Sequence, residues 1–221
     1  RAVVAAGAIA ALGEDAHPRL GGVVGADDQA VVGIGDGELG DHADTRLDVA
    51  DQEEVLELGP GNCGHLQKLL TCADELRYYG LDVSETMLAE AQQLNNEQAH
   101  FRLYDGENIP YEDDFFDKVF SVNTIYFWAN PGKLINEIER ILKPNGTCVL
   151  TYAEKNFMGR LPFVGDRFTL YDNGDIRALV AESSLKISEF RDKTEVVKAK
   201  HGEEIERRFT MVKLRKAARY V

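Results

Sequence analysis

Three acidic side chains lie at or near the ends of successive predicted strands. Glu57 lies within the apolar segment VLEL, Asp82 ends the segment GLD, and Asp105 follows FRLY. The carboxyl ends of parallel strands meet at one edge of an open sheet, and ligands bind in the crevice outside that edge. A single loop Asp is usually a turn former or a helix cap. Three carboxylates at a strand-plus-helix spacing instead predict one binding crevice.

A glycine-rich turn follows the first of these strands. Gly59, Gly61 and Gly64 have the spacing G-x-G-x-x-G. Glycines allow a ligand to approach the backbone closely and allow backbone conformations that a side chain would block. The pattern alone fits NAD, FAD or S-adenosylmethionine, and it also fits a tight strand-to-helix turn that binds nothing.

Glu57 favours one of these ligands. A carboxylate inside an apolar strand is costly to bury without a partner. The pyrophosphate of a dinucleotide would be repelled by it, whereas S-adenosylmethionine carries an ammonium and a sulfonium but no phosphate. The alternative is a Glu57 that only accepts hydrogen bonds from nearby backbone. Asp82, at the end of the second strand, can accept hydrogen bonds from both ribose hydroxyls.

The elements that position these residues alternate between strand and helix from Glu54 onward. This order predicts an α/β fold: a Rossmann-like, mainly parallel seven-stranded sheet with helices on both faces and a C-terminal antiparallel strand pair. The predicted strands are residues 55–58, 78–81, 101–104, 116–122, 147–152, 185–195 and 207–214. The predicted helices are residues 66–73, a helix capped by Ser84, a helix from Pro131 that a turn at 143–146 ends, and residues 175–183.

Residues 1–50 differ from the rest of the chain. They are dominated by Ala, Gly, Val and Asp, contain no aromatic residue, and carry three arginines against nine acidic residues. Such a segment can bury little apolar area to offset its chain entropy. We predict a low-complexity leader that is disordered or foreign (a fusion or a wrongly translated frame), although a short helix over 2–12 stays open, and a single domain over 51–221.

Composition excludes several classes of protein. The formal net charge of −13 argues against a nucleic-acid partner, because phosphate binding needs clustered cations. No apolar run approaches the ~20 residues that span a bilayer. The three cysteines cannot all pair and have no metal-ligand spacing, which predicts free thiols in a cytoplasmic protein without a metal. A basic stretch near the C-terminus leaves a nucleic-acid substrate as a minor alternative: Arg207, Arg208, Lys213, Arg215, Lys216 and Arg219.

Residues 54–152 resemble the methyltransferase domain of the ubiquinone/menaquinone methyltransferase-like class I families (the methyltransferase type 11 domain). The resemblance lies in LELGPGNCG (56–64), GLDVSETMLAEA (80–91), YDGENIPYEDDFFDKVFS (104–121) and EIERILKPNGTCVL (137–150). Cys63 departs from the pattern, since such families commonly have a third glycine there. The helical segment that usually precedes the first strand is also missing.

The resemblance implies transfer of a methyl group from S-adenosylmethionine to a small-molecule acceptor, by a monomer or homodimer. It implies Glu57 near the methionine amino group, Asp82 on the ribose, Val83 beside the adenine face, and Asp105-Gly106 at the adenine edge. Asn123 would border the methionyl part. The complete set of cofactor-binding residues that we predict is Glu57, Gly59, Pro60, Gly61, Asp82, Val83, Met87, Asp105, Gly106 and Asn123.

No catalytic residue is evident, because displacement at a sulfonium carbon mainly requires alignment of nucleophile and methyl. Tyr126, Phe127 and Trp128 are candidate substrate contacts, and Tyr126 and Tyr152 are candidate bases. Aromatic and Met residues at 156–174 either wall an acceptor pocket or only pack on the sheet: Phe157, Met158, Phe163, Phe168 and Tyr171. A non-catalytic S-adenosylmethionine-binding module and, less favoured, an NAD(P)-linked oxidoreductase stay as alternative functions.

Overall fold

The computed structural model describes residues 47–94, 96–161, 164–198 and 204–218. Residues 1–46 of the predicted leader lie outside these ranges. So do Phe163 and the predicted connection at His201-Gly202 between the last two strands.

The described residues form one seven-stranded sheet in the order β3-β2-β1-β4-β5-β7-β6. The first five strands are parallel, and β7 pairs antiparallel with both β5 and β6. The predicted mainly parallel Rossmann-like sheet with a C-terminal antiparallel pair is therefore confirmed. The strands are β1 (Glu54–Leu58), β2 (Arg77–Asp82), β3 (Ala99–Leu103), β4 (Phe116–Val122), β5 (Leu142–Ala153), β6 (Lys186–Lys198) and β7 (Glu204–Arg215).

Within the described ranges, five helices connect these strands, and their ends follow local chemistry. Ser84 caps the second helix, where its hydroxyl accepts a hydrogen bond from the Met87 amide at 3.3 Å. Pro131 occupies the first turn of the third helix, where its missing N–H costs nothing. The helices are α1 (Leu66–Leu70), α2 (Glu85–Gln92), α3 (Pro131–Ile141), α4 (Lys155–Met158) and α5 (Asn173–Val180), with a 3-10 turn at Ile125–Phe127.

The apolar core lies on both faces of the sheet. One face packs β1, β4 and β5 against α3 and α5, and it contains the predicted helical stripe of α3. The other face packs Val55, Phe120 and Val149 against α1. Two buried faces explain why the central strands are apolar runs without alternation.

Several predicted boundaries are wrong. Strand β6 ends at Lys198 and β7 begins at Glu204, each extended by three residues beyond its prediction. Helix α1 ends at Leu70, three residues early, and α5 spans Asn173–Val180 rather than 175–183. Strand β5 begins at Leu142, not Thr147, and residues 143–146 bulge out of it between the pairs Phe116–Leu142 and Lys118–Thr147. The KPNG signal therefore marks a bulge within a strand, with Asn145 in the left-handed region, rather than a turn between elements.

Residues 47–50 contact the domain although they belong to the predicted leader. Leu47 is buried in the core cluster on the α1 face that also contains Val55 and Leu66, and the Asp48 carboxylate lies 2.9 Å from Lys213 Nζ. The predicted division at residue 50 stays a prediction, but packing begins at least as early as Leu47.

Within the described ranges, no helix is both long enough and apolar enough to cross a bilayer. None of the three cysteines forms a disulfide.

Candidate functional site

The glycine-rich turn is fastened to the end of β2. The Gly59 N–H donates to the Leu81 carbonyl at 2.8 Å, and the Gly61 N–H donates to Asp82 Oδ2 at 3.2 Å. The Ser84 N–H donates to Asp82 Oδ1 at 2.8 Å. Asp82 therefore bridges the loop after β1 and the start of α2, so the two predicted ligand-binding segments lie together.

Gly59 has no room for a side chain. Its φ is +75°, in the region that glycine tolerates, and a Cβ built there would lie 2.5 Å from Thr124 Cγ2. The turn passes directly over the segment that follows β4. Cys63, at the third glycine position of the resembling families, also has a left-handed φ of +55°. The loop conformation itself explains why glycine is common there.

Asp82 is buried at the bottom of this loop. Burial raises the pKa of its carboxyl, and the amide hydrogen bonds from Ser84 and Gly61 oppose that rise. Each carboxylate oxygen accepts one amide and keeps acceptor capacity for a hydroxyl.

Glu57 is also buried, and it is bound by side chains rather than only by local backbone. Its Oε2 accepts a hydrogen bond from the Tyr78 hydroxyl and lies 2.8 Å from His65 Nε2. The Cys63 thiol in turn donates to the Tyr78 oxygen at 3.2 Å. The buried carboxylate is thus satisfied within a four-residue cluster under the glycine loop.

Asp105 lies in an exposed turn after β3. Its Oδ1 accepts the amides of Glu107 and Asn108 at 2.9 and 2.7 Å. These hydrogen bonds, that of the Asn108 backbone first, lower the pKa of Asp105 to about 2. The turn also places Gly106, at φ +84°, against Val83. Asp105 therefore stabilises the conformation of the loop at the predicted adenine edge.

One cleft brings six of the predicted site residues together. They are Gly59, Val83, Asp105, Gly106, Phe127 and Trp128. Tyr104, Thr124 and Ala129 also line this cleft and were missed by the sequence prediction. Thr124 could have been found from its position immediately after the polar end of β4.

Several other predicted cofactor-binding residues lie close to this cleft but do not line its surface. Pro60 packs on Gly80, so that a Cβ at Gly80 would lie 3.1 Å from Pro60 Cγ. Met87 is buried on α2. Gly61 is a buried residue of the loop, and Glu57 and Asp82 are buried beneath it; none of the three lines the cleft surface in this structure.

Asn123 and Tyr126 form a fixed corner after β4. Asn123 has φ +57°, and its N–H donates to the Thr151 carbonyl at 2.8 Å. The Tyr126 hydroxyl donates to Asn123 Oδ1 at 3.1 Å and accepts the Ala153 N–H. Strain at a non-glycine residue is often found at functional sites. Tyr126 is buried and does not line the cleft, unlike its neighbours Phe127 and Trp128.

The surroundings of Tyr152 do not suit a general base. It is fully buried, its hydroxyl donates to Asn173 Oδ1 at 2.7 Å, and burial raises its pKa further above the usual range. It borders a second cavity of about 530 Å³ at the carboxyl end of β5. Charged and polar groups line most of that cavity: Glu154, Asp172, Asn173, Asp192, Lys193, Thr194, Arg208 and Thr210.

The segment at 156–174 packs on the sheet. Phe157, Met158 and Tyr171 are buried in the core on the α5 face. Phe168 is partly buried and stacks at a tilt on Phe127, with ring centroids 4.8 Å apart. The described members therefore pack on the sheet, and Phe168 also contacts Phe127, which lines the cleft.

The strand order, the glycine turn after β1 and the acid at the end of β2 define a class I methyltransferase fold. In agreement, residues 56–150 match the family model described as "Methyltransferase domain". Residues 56–150 therefore match a methyltransferase domain of the class that uses S-adenosylmethionine as its cofactor.

Named relatives agree with this assignment. The chain is 36% identical over 110 residues to the uncharacterized methyltransferase YdaC of Bacillus subtilis, a match that covers 48% of this chain and 59% of YdaC. It is 25% identical over 177 residues to the glycine/sarcosine/dimethylglycine N-methyltransferase of Actinopolyspora halophila, covering 73% of this chain and 30% of that protein. The chain thus spans less than two thirds of the length of either relative.

A solved structure shares the fold. It is a complex of the Haloferax volcanii Trm112 methyltransferase activator with a putative methyltransferase. The TM-score is 0.65 at 19% identity, and the match covers 87% of this chain and 88% of the other.

Proposed function

We propose that the chain transfers the methyl group of S-adenosylmethionine to a small-molecule acceptor by in-line displacement at the sulfonium carbon. The observation that carries the proposal is the Gly59–Gly61 turn fastened onto the buried Asp82 carboxylate, which opens on a cleft with Val83, Gly106 and Trp128. The fold supplies backbone and carboxylate groups there. The buried Glu57 and Asp82 carboxylates beneath the glycine turn disfavour the negative charge of a pyrophosphate there.

In this proposal, the ribose hydroxyls donate to Asp82 and the adenine lies against Val83. The adenine edge meets Asp105-Gly106. The apolar faces of Phe127 and Trp128 close the same cleft. Because Asp82 is buried beneath Gly61, binding requires the loop to move enough to admit the ribose.

The methionyl part extends toward the glycine turn. We propose that Glu57 attracts its ammonium, with the backbone of Gly59, Pro60 and Gly61 against it and Asn123 at its border. The strained Asn123 is fixed by Tyr126 and by the β5 backbone, so it can orient a ligand without rearranging. Met87 contributes as packing under α2 rather than as a direct contact.

The protein aligns two reactants and supplies no strong base. Tyr126 and Tyr152 both use their hydroxyls in structural hydrogen bonds. An acceptor that attacks with an existing lone pair, or one that loses its proton to solvent, fits this arrangement. The cavity of about 530 Å³ beside Tyr152 has a volume typical of small-molecule sites and is proposed as the acceptor side.

A nucleic-acid acceptor is less well supported. Two residues of the basic C-terminal stretch are already neutralised, since Lys213 pairs with Asp48 and Lys216 with Asp114. The net charge of −13 opposes a phosphate backbone as well.

Methyl transfer from labelled S-adenosylmethionine to a metabolite panel tests the proposal, with bulk tRNA as a separate arm. Turnover of a small molecule, abolished by excess S-adenosylhomocysteine, is expected. Cofactor binding without turnover on any acceptor would favour the non-catalytic module, and labelled tRNA alone would reject the small-molecule acceptor.

A further inference from the structure

Four polar side chains with different chemistries are buried together beneath the glycine loop. Glu57 comes from β1, Tyr78 from β2, and Cys63 and His65 from the end of the loop itself. All four are at most 8% exposed. The His65 ring also meets Phe120 edge-on, with centroids 6.2 Å apart, so apolar groups surround the cluster.

The loop conformation brings the two side chains of the Cys63-Gly64-His65 segment to one side. Cys63 has a left-handed backbone, and its N–H donates to the Pro60 carbonyl at 3.0 Å. Its thiol then reaches the Tyr78 hydroxyl, and His65 reaches Glu57. Three atoms that could bind a metal ion, a Glu57 carboxylate oxygen, Cys63 Sγ and a His65 ring nitrogen, all lie within 4.8 Å of one another.

We propose that Glu57, Cys63 and His65 form a binding site for Zn²⁺ or a similarly borderline-soft divalent cation. A carboxylate oxygen, an imidazole nitrogen and a thiolate sulfur are the three donor types that zinc takes in proteins. Water or the Tyr78 oxygen would occupy the fourth coordination position of the metal. Shifts of about an ångström bring three atoms at these separations to zinc–ligand distances of roughly 2.0–2.3 Å.

Binding exchanges protons for metal–ligand bonds. The Cys63 sulfur releases its proton to solvent as the metal–sulfur bond forms. The proton that His65 Nε2 shares with Glu57 leaves Nε2 for Nδ1 by exchange with solvent, so that the Nε2 lone pair binds the metal. The hydrogen bonds from Tyr78 and His65 to Glu57 Oε2 are replaced by the metal. No oxidation or reduction is involved.

The site is coupled to cofactor binding, and this second claim rests on the proposed function. Glu57 serves both the metal and the cofactor ammonium, and two cations cannot share one buried carboxylate in this space without strong repulsion. Zinc and S-adenosylhomocysteine therefore lower each other's affinity by the same factor.

Equilibrium dialysis of the chelator-stripped full chain against Zn²⁺ alone tests the site. One bound zinc per chain is expected, and Cys63→Gly or His65→Asn weakens binding by at least about 30-fold. Cys63→Gly is the sharper variant, because glycine suits the left-handed φ and keeps the fold while it removes the sulfur. Cys72→Ser and His100→Asn, a thiol and an imidazole outside the cluster, are matched controls that leave the affinity unchanged.

Cobalt substitution gives a second readout. Bound Co²⁺ shows a thiolate-to-metal charge-transfer band that disappears in Cys63→Gly and persists in Cys72→Ser. Absence of stoichiometric zinc binding overturns the site, as does equal binding by wild type and a folded Cys63→Gly. Because these measurements contain no cofactor, they stand whether or not the proposed methyl transfer is found. The coupling is rejected separately if saturating S-adenosylhomocysteine binds and leaves the zinc affinity unchanged.

Discussion

The two halves of the sheet's carboxyl edge use their polar groups differently. Beside β1 and β2, Asp82 accepts amides from the loops it joins and keeps acceptor capacity for a ligand. Beside β4 and β5, the hydroxyls of Tyr126 and Tyr152 are both committed to hydrogen bonds that hold the chain in place. The first half keeps hydrogen-bond acceptors for a ligand. In the second half, the tyrosine hydroxyls fix the backbone beside an open cavity with a charged lining.

This difference explains why cofactor identity is easier to infer than acceptor identity. Cofactor recognition depends on backbone conformation and strand-end acids, which have a fixed spacing along the chain. In the proposed function, acceptor recognition depends on side chains around a cavity that β5, β6, β7 and the segment before α5 assemble. Each of the following point substitutions perturbs one half and leaves the other as its reference, and one deletion perturbs packing shared by both.

The largest effect is expected for Gly59→Val in the first half. A β-branched residue at φ +75° is strained by about 1–3 kcal/mol, and its side chain collides with Thr124. We expect S-adenosylhomocysteine affinity, measured by titration calorimetry, to fall by more than about 100-fold. Gly165→Ala, where a Cβ meets no atom within 4 Å, is the matched control. Near-normal affinity in Gly59→Val would show that the turn does not contact the cofactor.

Asp82→Ala should give the next largest loss. Removal of a charge-assisted hydrogen bond to the ribose costs about 1.5–3 kcal/mol, or roughly 10- to 150-fold in affinity. Asp105→Ala is the comparison, because that carboxylate is exposed and already holds its own turn. Calorimetry should show a smaller loss of S-adenosylhomocysteine affinity for Asp105→Ala than for Asp82→Ala. A larger loss for Asp105→Ala would contradict the assignment of Asp82 to the ribose.

Acid should weaken cofactor binding through Asp82. Burial raises its pKa, and protonation removes an acceptor that the ribose hydroxyls need, so affinity falls as pH drops through that raised pKa. Glu57 and Tyr104 face the same carboxyl and are kept unchanged in the test. Asp82→Asn should bind weakly at neutral pH and lose most of this pH dependence. A wild-type affinity that is flat with pH while Asp82 titrates by NMR would contradict the ribose assignment.

A boundary deletion tests packing shared by the whole sheet. The 51–221 chain loses the buried Leu47 and the Asp48–Lys213 pair, whereas the 47–221 chain keeps both. Burial of one Leu contributes about 2 kcal/mol, so 51–221 should melt roughly 4–8 °C lower than 47–221. The 47–221 chain is expected to melt like the full chain. If 47–221 loses its cooperative transition, the leader is not dispensable.

The smallest effect on chemistry is expected for Tyr126→Phe and Tyr152→Phe in the second half. Each loses a structural hydrogen bond, with a stability cost of about 0.5–1.5 kcal/mol by thermal unfolding. Turnover, once an acceptor is known, should stay within about threefold, since neither hydroxyl is a base. A loss of about 100-fold in kcat with an intact fold would restore the catalytic role for that tyrosine.

The sequence predicts the strand positions, the alternation of strands with helices along the chain, and the residues at the strand ends. It does so because buried parallel strands are continuous apolar runs. It fails at the KPNG segment, since a bulge and a turn use the same residues and only the pairing of β4 with Leu142 distinguishes them. It places Leu47 in the leader because one leucine in an Ala/Gly/Asp-rich context carries no periodic signal. The Glu57–His65–Tyr78 contacts join residues 8 and 21 positions apart, which only the loop conformation brings together.

The central claim is that the crevice beside β1 and β2 binds S-adenosylmethionine and not a dinucleotide. Titration calorimetry of the full chain with S-adenosylhomocysteine and, separately, with NADH tests it most directly. Saturable one-to-one binding of S-adenosylhomocysteine, weakened in Asp82→Ala, and no heat from NADH are expected. Tight NADH binding with no S-adenosylhomocysteine heat would contradict it.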